Sequence, residues 1–341
     1  MKRHKICKII FAILAVFLCV AFYELIGICI TYKKQPAVSD ATIKETQNMM
    51  SGTGRENKER AVIIEKNSQA LLERVRLIQN AKDEIILSTF AFKSDESGKL
   101  ILGALHDAAD RGVHVRILVD GMESWIDMEG NPYFYGLSSH ENVEIKLYNK
   151  ANPLKPWKTM GRMHDKYLIA DGKIYILGGR NTYNYFLGDF PGHKNFDRDV
   201  LVVCDEPQKD NSVNQLWNYF ETIWEQEDCR YFHNSKKLAD RQSVKKAVLE
   251  LQEGYQQYFE VNKEKICDTD YADETFETEK ITLLSNPIHT QAKEPVVWYQ
   301  LGELMKNAKE RVKIHTPYII CNDMMYNTWE EIAQKVPDFS I

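Results

Sequence analysis

The alternation of apolar and polar positions divides the chain into three kinds of material. Positions 9–30, "IIFAILAVFLCVAFYELIGICI", are apolar except for Glu24, and a helix of that length spans the hydrocarbon core of a bilayer. Positions 31–60 are polar and broken by Pro36, Gly52 and Gly54, the composition of a linker. From position 61 onward helical and strand periods alternate. "SQALLERVRLIQNAKDEI" sets Leu71, Leu72, Val75 and Ile78 at helical spacing, and "EIILSTFAF" reads as a buried strand. "SGKLILGALHDAADRG" is an amphipathic helix closed by Gly112, and "VHVRILVDG" is the strand after it. Strand, helix and strand in that order form a βαβ unit, which predicts an α/β domain with a mostly parallel sheet.

The same reading continues with "VEIKLYN" as an alternating strand, followed by the Pro-interrupted loop "KANPLKPWKTMGR". That loop holds Lys150, Lys155, Lys158, Arg162 and Trp157. It is either a solvated basic loop or a surface for an anionic headgroup. "DRDVLVVCD" is strand-like, and "SVNQLWNYFETIWEQE" is a helix with Val213, Leu216, Trp217, Phe220, Ile223 and Trp224 on one stripe that faces a core. A first domain is expected over 61–233 and a charged connecting segment over 234–280. A partial second domain follows over 281–341, because the helix-to-strand passage recurs there. Leu77, Asn80, Ala81, Lys82 and Thr89 match Leu304, Asn307, Ala308, Lys309 and Thr316 at a constant offset, the mark of an internal duplication.

Composition narrows the classes. The 341 residues are 44% hydrophobic and 27% charged, with a formal net charge of -5, which fits a globular protein and excludes disordered and fibrous classes. A net negative charge gives no overall attraction to polyanions, so contact with nucleic acid or anionic lipid has to come from a local patch, and without a basic surplus nucleic acid is not the favoured partner. Positions 1–8, "MKRHKICK", are basic and precede the apolar run. A cleaved signal peptide would have a shorter apolar region ending in small residues, whereas this run ends Gly27-Ile28-Cys29-Ile30. The segment therefore reads as a single-pass anchor, N-terminus cytoplasmic and main domain outside the cytoplasm by the bias of Lys2, Arg3, Lys5 and Lys8 against Lys33 and Lys34. Glu24, in the last third of the run, is placed to snorkel. Cys204, Cys229, Cys267 and Cys321 show no C-x-x-C spacing and fit either two disulfides or ordinary core thiols. No metal-ligand spacing is present, and no cofactor is implied.

The chemistry concentrates in "MHDKYLIADGKIYILGGRN", positions 163–181. In an extended segment His164 and Lys166 project to one face while Asp165 and Tyr167 project to the other. An imidazole can attack phosphorus, and an ammonium beside it stabilises the negative oxygens of a phosphoryl transition state. Gly178 and Gly179 permit close backbone approach, and Asn181 adds an amide for a phosphate oxygen or for the imidazole.

The stretch resembles the phospholipase D superfamily, whose signature is H-x-K-x4-D-x6-G-[GS]-x-N. His164, Lys166, Asp171, Gly178, Gly179 and Asn181 match it with every spacing intact, and "LGGRN" with "FDRDVLVV" looks most like bacterial cardiolipin-synthase-type members. The resemblance implies an αβα sandwich around a mixed sheet, with the second repeat incomplete. It implies a phosphohistidine on His164, a phosphate grip from Lys166, Asn181 and the Gly179 position, and no metal. A downstream carboxylate would orient the histidine, with Asp199 as the best match and Asp197 as the alternative, while Asp171 would serve the fold around the site.

In the family two such motifs face each other, one histidine attacking and the other protonating the leaving alcohol. No second H-x-K-x4-D occurs in 182–341, since His193, His233, His289 and His315 lack a lysine two positions on. The expectation is a chain truncated before its second motif, or one completed by a homodimer. Three functions follow from the resemblance. The first is a membrane-anchored phosphatidyltransferase or phosphodiesterase acting on membrane phospholipids. The second is a nuclease of the same superfamily, completed by homodimerisation. The third is a catalytically incomplete fragment of a two-motif enzyme.

Overall fold

The computed structural model describes residues 2–51, 58–233, 235–316 and 318–341, so Gly52 and Gly54 of the expected linker lie outside the described residues. The chain divides into two compact units, Met1–Arg55 with Leu283–Ile341, and Glu56–Thr282.

The first unit opens with α1 (Lys2–Tyr32) and α2 (Asp40–Met50). Within α1, Lys5–Tyr32 is long and apolar enough to cross a membrane. The helix α2 lies where the sequence suggested only linker. Ser39 caps it by accepting the Thr42 amide, and Asp40 sits in its first turn, both favourable at a helix N-terminus. With few apolar residues to set a period, that helix had no hydrophobic signal.

The second unit runs β1 (Glu59–Ile64), α3 (Asn67–Asn80), β2 (Glu84–Thr89), α4 (Glu96–Asp110), β3 (His114–Asp120), α5 (Glu123–Asp127), α6 (Pro132–Ser138) and β4 (Val143–Tyr148). It continues with β5 (Tyr167–Ala170), β6 (Ile174–Gly178), β7 (Asp199–Val203), α7 (Ser212–Trp224), β8 (Cys229–Tyr231), α8 (Lys236–Ala239), α9 (Gln242–Ile266) and β9 (Phe276–Thr278). The chain then returns to the first unit with α10 (Val296–Lys306), β10 (Arg311–Lys313), α11 (Asp323–Lys335) and β11 (Asp338–Ser340). There β10 and β11 pair in parallel, and Trp298 of α10 meets Trp329 of α11 edge-on at 4.8 Å.

One nine-stranded sheet carries the second unit, in the order β8, β4, β3, β2, β5, β6, β7, β1, β9. It is mixed, as expected, but its parallel part is confined to β2, β3 and β4. The other neighbouring pairs run antiparallel. The reason lies in the connections. Among strands that are neighbours in the sheet, helical crossovers join only β2 to β3 and β3 to β4, whereas the short turn at 171–173 folds β5 and β6 into a hairpin, and hairpins are antiparallel.

Both faces of the sheet are covered. Ile85, Leu87, Val115, Ile117, Ile145, Leu168, Ile176 and Leu201 share one core with residues of α3, α4, α6 and α9. The alternate positions face α7, where the Arg116 guanidinium lies 4.8 Å from the Phe220 ring and Tyr175 Oη meets Ser212 Oγ at 2.8 Å. This is the αβα sandwich, and it explains why the strands read as near-continuous apolar runs. The connecting segment expected over 234–280 is largely part of this unit: α9 packs on α4 and α6, and β9 extends the sheet beyond β1. Gly103 of α4 makes that packing close, since a Cβ there would lie 2.6 Å from the Leu251 carbonyl oxygen. The cysteines are free thiols among the described residues, with Cys204 and Cys229 buried.

Candidate active site

The strand registers bring the motif to one end of the sheet. Asp120 of β3 pairs with Tyr148 of β4, Ser88 of β2 with Tyr167 of β5, Tyr167 with Leu177 of β6, and Gly178 with Asp199 of β7. The loops at 90–95, 121–131, 149–166 and 179–198 therefore all open on the same side. In a sheet with parallel central strands, the carboxyl ends of those strands are where ligands bind.

His164 and Lys166 lie in the extended approach to β5. His164 is exposed and Lys166 is buried at 6% accessibility. The Lys166 ammonium lies 2.9 Å from His164 Nδ1 and donates to the His164 carbonyl oxygen at 2.6 Å. An ammonium has three N–H donors, so one remains for a phosphate oxygen. Phe90 floors the pair, its ring 4.6 Å from the imidazole and 5.4 Å from Lys166 Nζ. Burial, and then the Lys166 charge, hold the His164 pKa below its ordinary value, which favours the neutral, nucleophilic imidazole. Burial also pulls Lys166 down to about 8, against the carboxylates of Asp165 and Asp197, which raise it. Asp165 faces the opposite layer, where its Oδ2 accepts the Tyr219 hydroxyl at 2.7 Å.

The remaining motif residues separate by location. Asp171 stands at the far end of β5 from His164. Its carboxylate accepts the main-chain amides of Lys82, Asp83 and Glu84 at 2.8–3.0 Å. Asn181 is on the site side: its Oδ1 accepts the Ala91 amide at 3.1 Å, which leaves Nδ2 as the donor that could meet a ligand. At Gly179 a Cβ would lie 2.0 Å from Asp197 Oδ2, so the space of a side chain there is filled by the Asp197 carboxylate.

The two candidate orienting carboxylates differ sharply. Asp199 is fully buried and pairs with Arg74 at 2.9 Å and Arg180 at 3.3 Å. Arg180, itself buried, also donates to Asn67 Oδ1, to the carbonyls of Ile64 and Glu65, and to that of Asp197. Asp199 is thus committed to neutralising two guanidiniums that lock β1 and α3 to the β6–β7 edge. Asp197 is only partly buried, and its charge reaches Lys166. The first choice made from the sequence therefore corresponds to a structural ion cluster, and Asp197 is the carboxylate beside the site. Among the described residues neither forms a hydrogen bond to the imidazole.

Asp120 belongs to the site and was not singled out by sequence. Fully buried at the end of β3, it accepts the Met163 amide at 3.1 Å through Oδ2 and Arg162 Nη1 at 3.1 Å through Oδ1. It thereby fixes the backbone immediately before His164. Its signal was its place in "LVDG", an acid closing an apolar strand.

Residues 75–224 match the family described as "Cardiolipin synthase, PLD-like domain". The chain is 26% identical over 313 residues to an uncharacterized protein of Helicobacter pylori, covering 84% of this chain and 59% of that one. It is 29% identical over 154 residues to cardiolipin synthase C of Escherichia coli, covering 41% of this chain and 31% of that enzyme. The chain thus spans only 59% and 31% of the length of these two relatives. Among solved structures, phosphatidylserine synthase of Haemophilus influenzae superposes with a TM-score of 0.55 at 14% identity, over 88% of this chain and 65% of that one. At that identity the likeness is one of fold.

Proposed function

Because the chain belongs to the phospholipase D superfamily, we propose that it is a membrane-anchored phosphodiester-cleaving enzyme of the cardiolipin-synthase kind, which takes a phosphatidyl group from a glycerophospholipid onto His164. The observation that carries this reading is the pairing of a neutral-leaning imidazole with an adjacent ammonium at the open end of the sheet. In the first step an imidazole nitrogen forms a bond to phosphorus, the bond from phosphorus to the headgroup oxygen breaks, and the leaving alkoxide takes a proton. In the second, an acceptor alcohol or water attacks the phosphohistidine, forms the new P–O bond and releases the imidazole. Lys166 and the Asn181 amide hold the non-bridging oxygens, whose charge grows in each transition state. Asp197 supports the Lys166 charge.

The motif occurs once in this sequence, so the imidazole that serves the leaving alcohol in a two-motif site comes from outside these residues. The name of cardiolipin synthase C supports a phospholipid rather than a nucleic acid as donor, and the net negative charge agrees. The Lys5–Tyr32 helix is the anchor in this reading, with the basic N-terminus on the cytoplasmic side.

The test supplies phosphatidylglycerol, radiolabelled in its phosphate, to the full chain in proteoliposomes. Label should be trapped on the protein and lost in His164→Ala. Label that persists in His164→Ala, or cleavage of DNA with the lipid untouched, overturns the reading.

A further inference from the structure

The loops around His164 carry a set of apolar side chains that the catalytic reading does not use. Trp125 and Ile126 follow β3, Leu154, Trp157 and Met160 follow β4, and Phe196 precedes β7. All are exposed, with Ile126 at 76%, Leu154 at 77% and Phe196 at 80%. The loops that present them are held in place. The Gly121 amide donates to the Tyr148 carbonyl at 2.7 Å, and Asn149 Nδ2 donates to the carbonyls of Lys158 and Gly161 at 2.7 and 2.8 Å. Asn67 Nδ2 donates to the carbonyl of Asn195, next to Phe196, at 2.8 Å. Fixed backbone with outward apolar tips is a surface built to be covered, because scattered single exposures do not converge on one end of a fold.

We propose that this rim is an interfacial docking surface that seats the site on an anionic glycerophospholipid bilayer, with Trp125, Ile126, Leu154, Trp157 and Phe196 entering the headgroup and acyl boundary around His164. Composition selects this occupant. In segment 150–162, which has no acid, Lys158 and Arg162 are taken up by Asp228 and Asp120, while Lys150 and Lys155 stand exposed among the apolar tips, Lys150 4.0 Å from Glu129. Tryptophan with lysine at one level is the composition of a membrane interface, and each exposed lysine is attracted to anionic lipid. The arrangement also serves the chemistry: a lipid phosphate lies at headgroup depth, the level to which a rim inserted around His164 brings the imidazole.

The purpose assigned to this surface rests on the phospholipid reading, but its measurement does not. None of the tryptophans lies in α1, so insertion of that helix is silent in tryptophan fluorescence. The full chain is reconstituted into phosphatidylglycerol vesicles with brominated acyl chains. Bromolipid quenching of the wild type should fall at least about twofold in Trp125→Phe/Trp157→Phe, which keeps the surface apolar. It should fall likewise in Ile126→Glu/Phe196→Glu, which keeps both tryptophans. Quenching unchanged in both variants, or cross-links through the rim between two copies with the tryptophans unquenched, overturns the proposal. Strong quenching without any His164-dependent labelling upholds the surface and sinks the catalytic reading, and the reverse pattern does the opposite.

Discussion

At the scale of residues, Lys166 and His164 set a pH window whose edges the structure assigns. The imidazole must be neutral to attack, and its pKa lies below 6.5, so the acid limb falls below that value. The ammonium must be charged to hold phosphate, and it loses its proton as pH rises through about 8. The profile of kcat/KM should therefore be bell-shaped with its alkaline limb near pH 8. Asp197→Asn removes a carboxylate that holds Lys166 up, so it should move that limb to lower pH. An unmoved limb would show that Asp197 does not act on Lys166. Stability runs the other way. The folded pKa of Lys166 is below its ordinary 10.5, so the unfolded chain binds the proton more readily, and the Lys166 contribution to stability rises with pH from about 8 to 10.5. Asp199→Asn tests a different kind of residue. It strands Arg74 and Arg180 in the interior, and breaking a buried pair from one side costs about 3–5 kcal/mol. Chemical denaturation should show that loss, while Asp197→Asn should stay close to wild type.

At the scale of elements, the motif aspartate shows how one motif spacing can hold two jobs. Asp171 has a positive φ of 51° and ties three main-chain amides of the 82–84 segment to the start of the β5–β6 hairpin. Asp171→Ala loses all three hydrogen bonds and leaves alanine in the left-handed region, so unfolding should cost about 2 kcal/mol less. His164→Ala, at an exposed position, should leave stability nearly unchanged while abolishing labelling. Equal stability of Asp171→Ala and wild type in urea would show those amides are satisfied by water. The same hairpin marks what was legible in the sequence. The helices α3, α4 and α7 and the strands β2, β3 and β4 were readable because each buries a face and so carries a period. The antiparallel direction of the other half was not, although β7 read as a strand, because β5, β6 and β7 are short and apolar on both faces, and nothing in such a run specifies its direction. Helix α9 hid for the opposite reason: its buried residues, Val244, Ala247, Leu251 and Tyr255, are diluted by a polar face that resembles a linker. Within the site, the nearness of His164 and Lys166 was legible from their two-residue spacing, whereas Asn181 was singled out by the signature it completes. The different surroundings of Asp197 and Asp199 were not legible, since they depend on two arginines, Arg74 and Arg180, whose burial no local pattern announces.

At the scale of the whole molecule, the motif residues and the core that supports them lie within one unit. The core residues from Ile64 to Tyr271 pack around the nine-stranded sheet, and every motif residue hangs from strands of that sheet. Residues 56–282 should therefore fold cooperatively when produced without the apolar helix, because the surface buried by α3, α4, α6, α7 and α9 is internal to that segment. Inorganic phosphate then becomes a direct probe of the site, since a ligand that binds only the folded state raises Tm in proportion to its affinity. At pH 7 the Lys166 ammonium is charged and phosphate should stabilise the segment. At pH 9, above the Lys166 value of about 8, most of that stabilisation should vanish, and Lys166→Met should lack it at both pH values. A phosphate effect of equal size at pH 9, or one that survives Lys166→Met, would place the anion elsewhere on the surface. A segment that fails to unfold as one transition would show instead that the sheet depends on residues beyond 282, and the Tm of the full chain in detergent would then have to fall when 283–341 are removed.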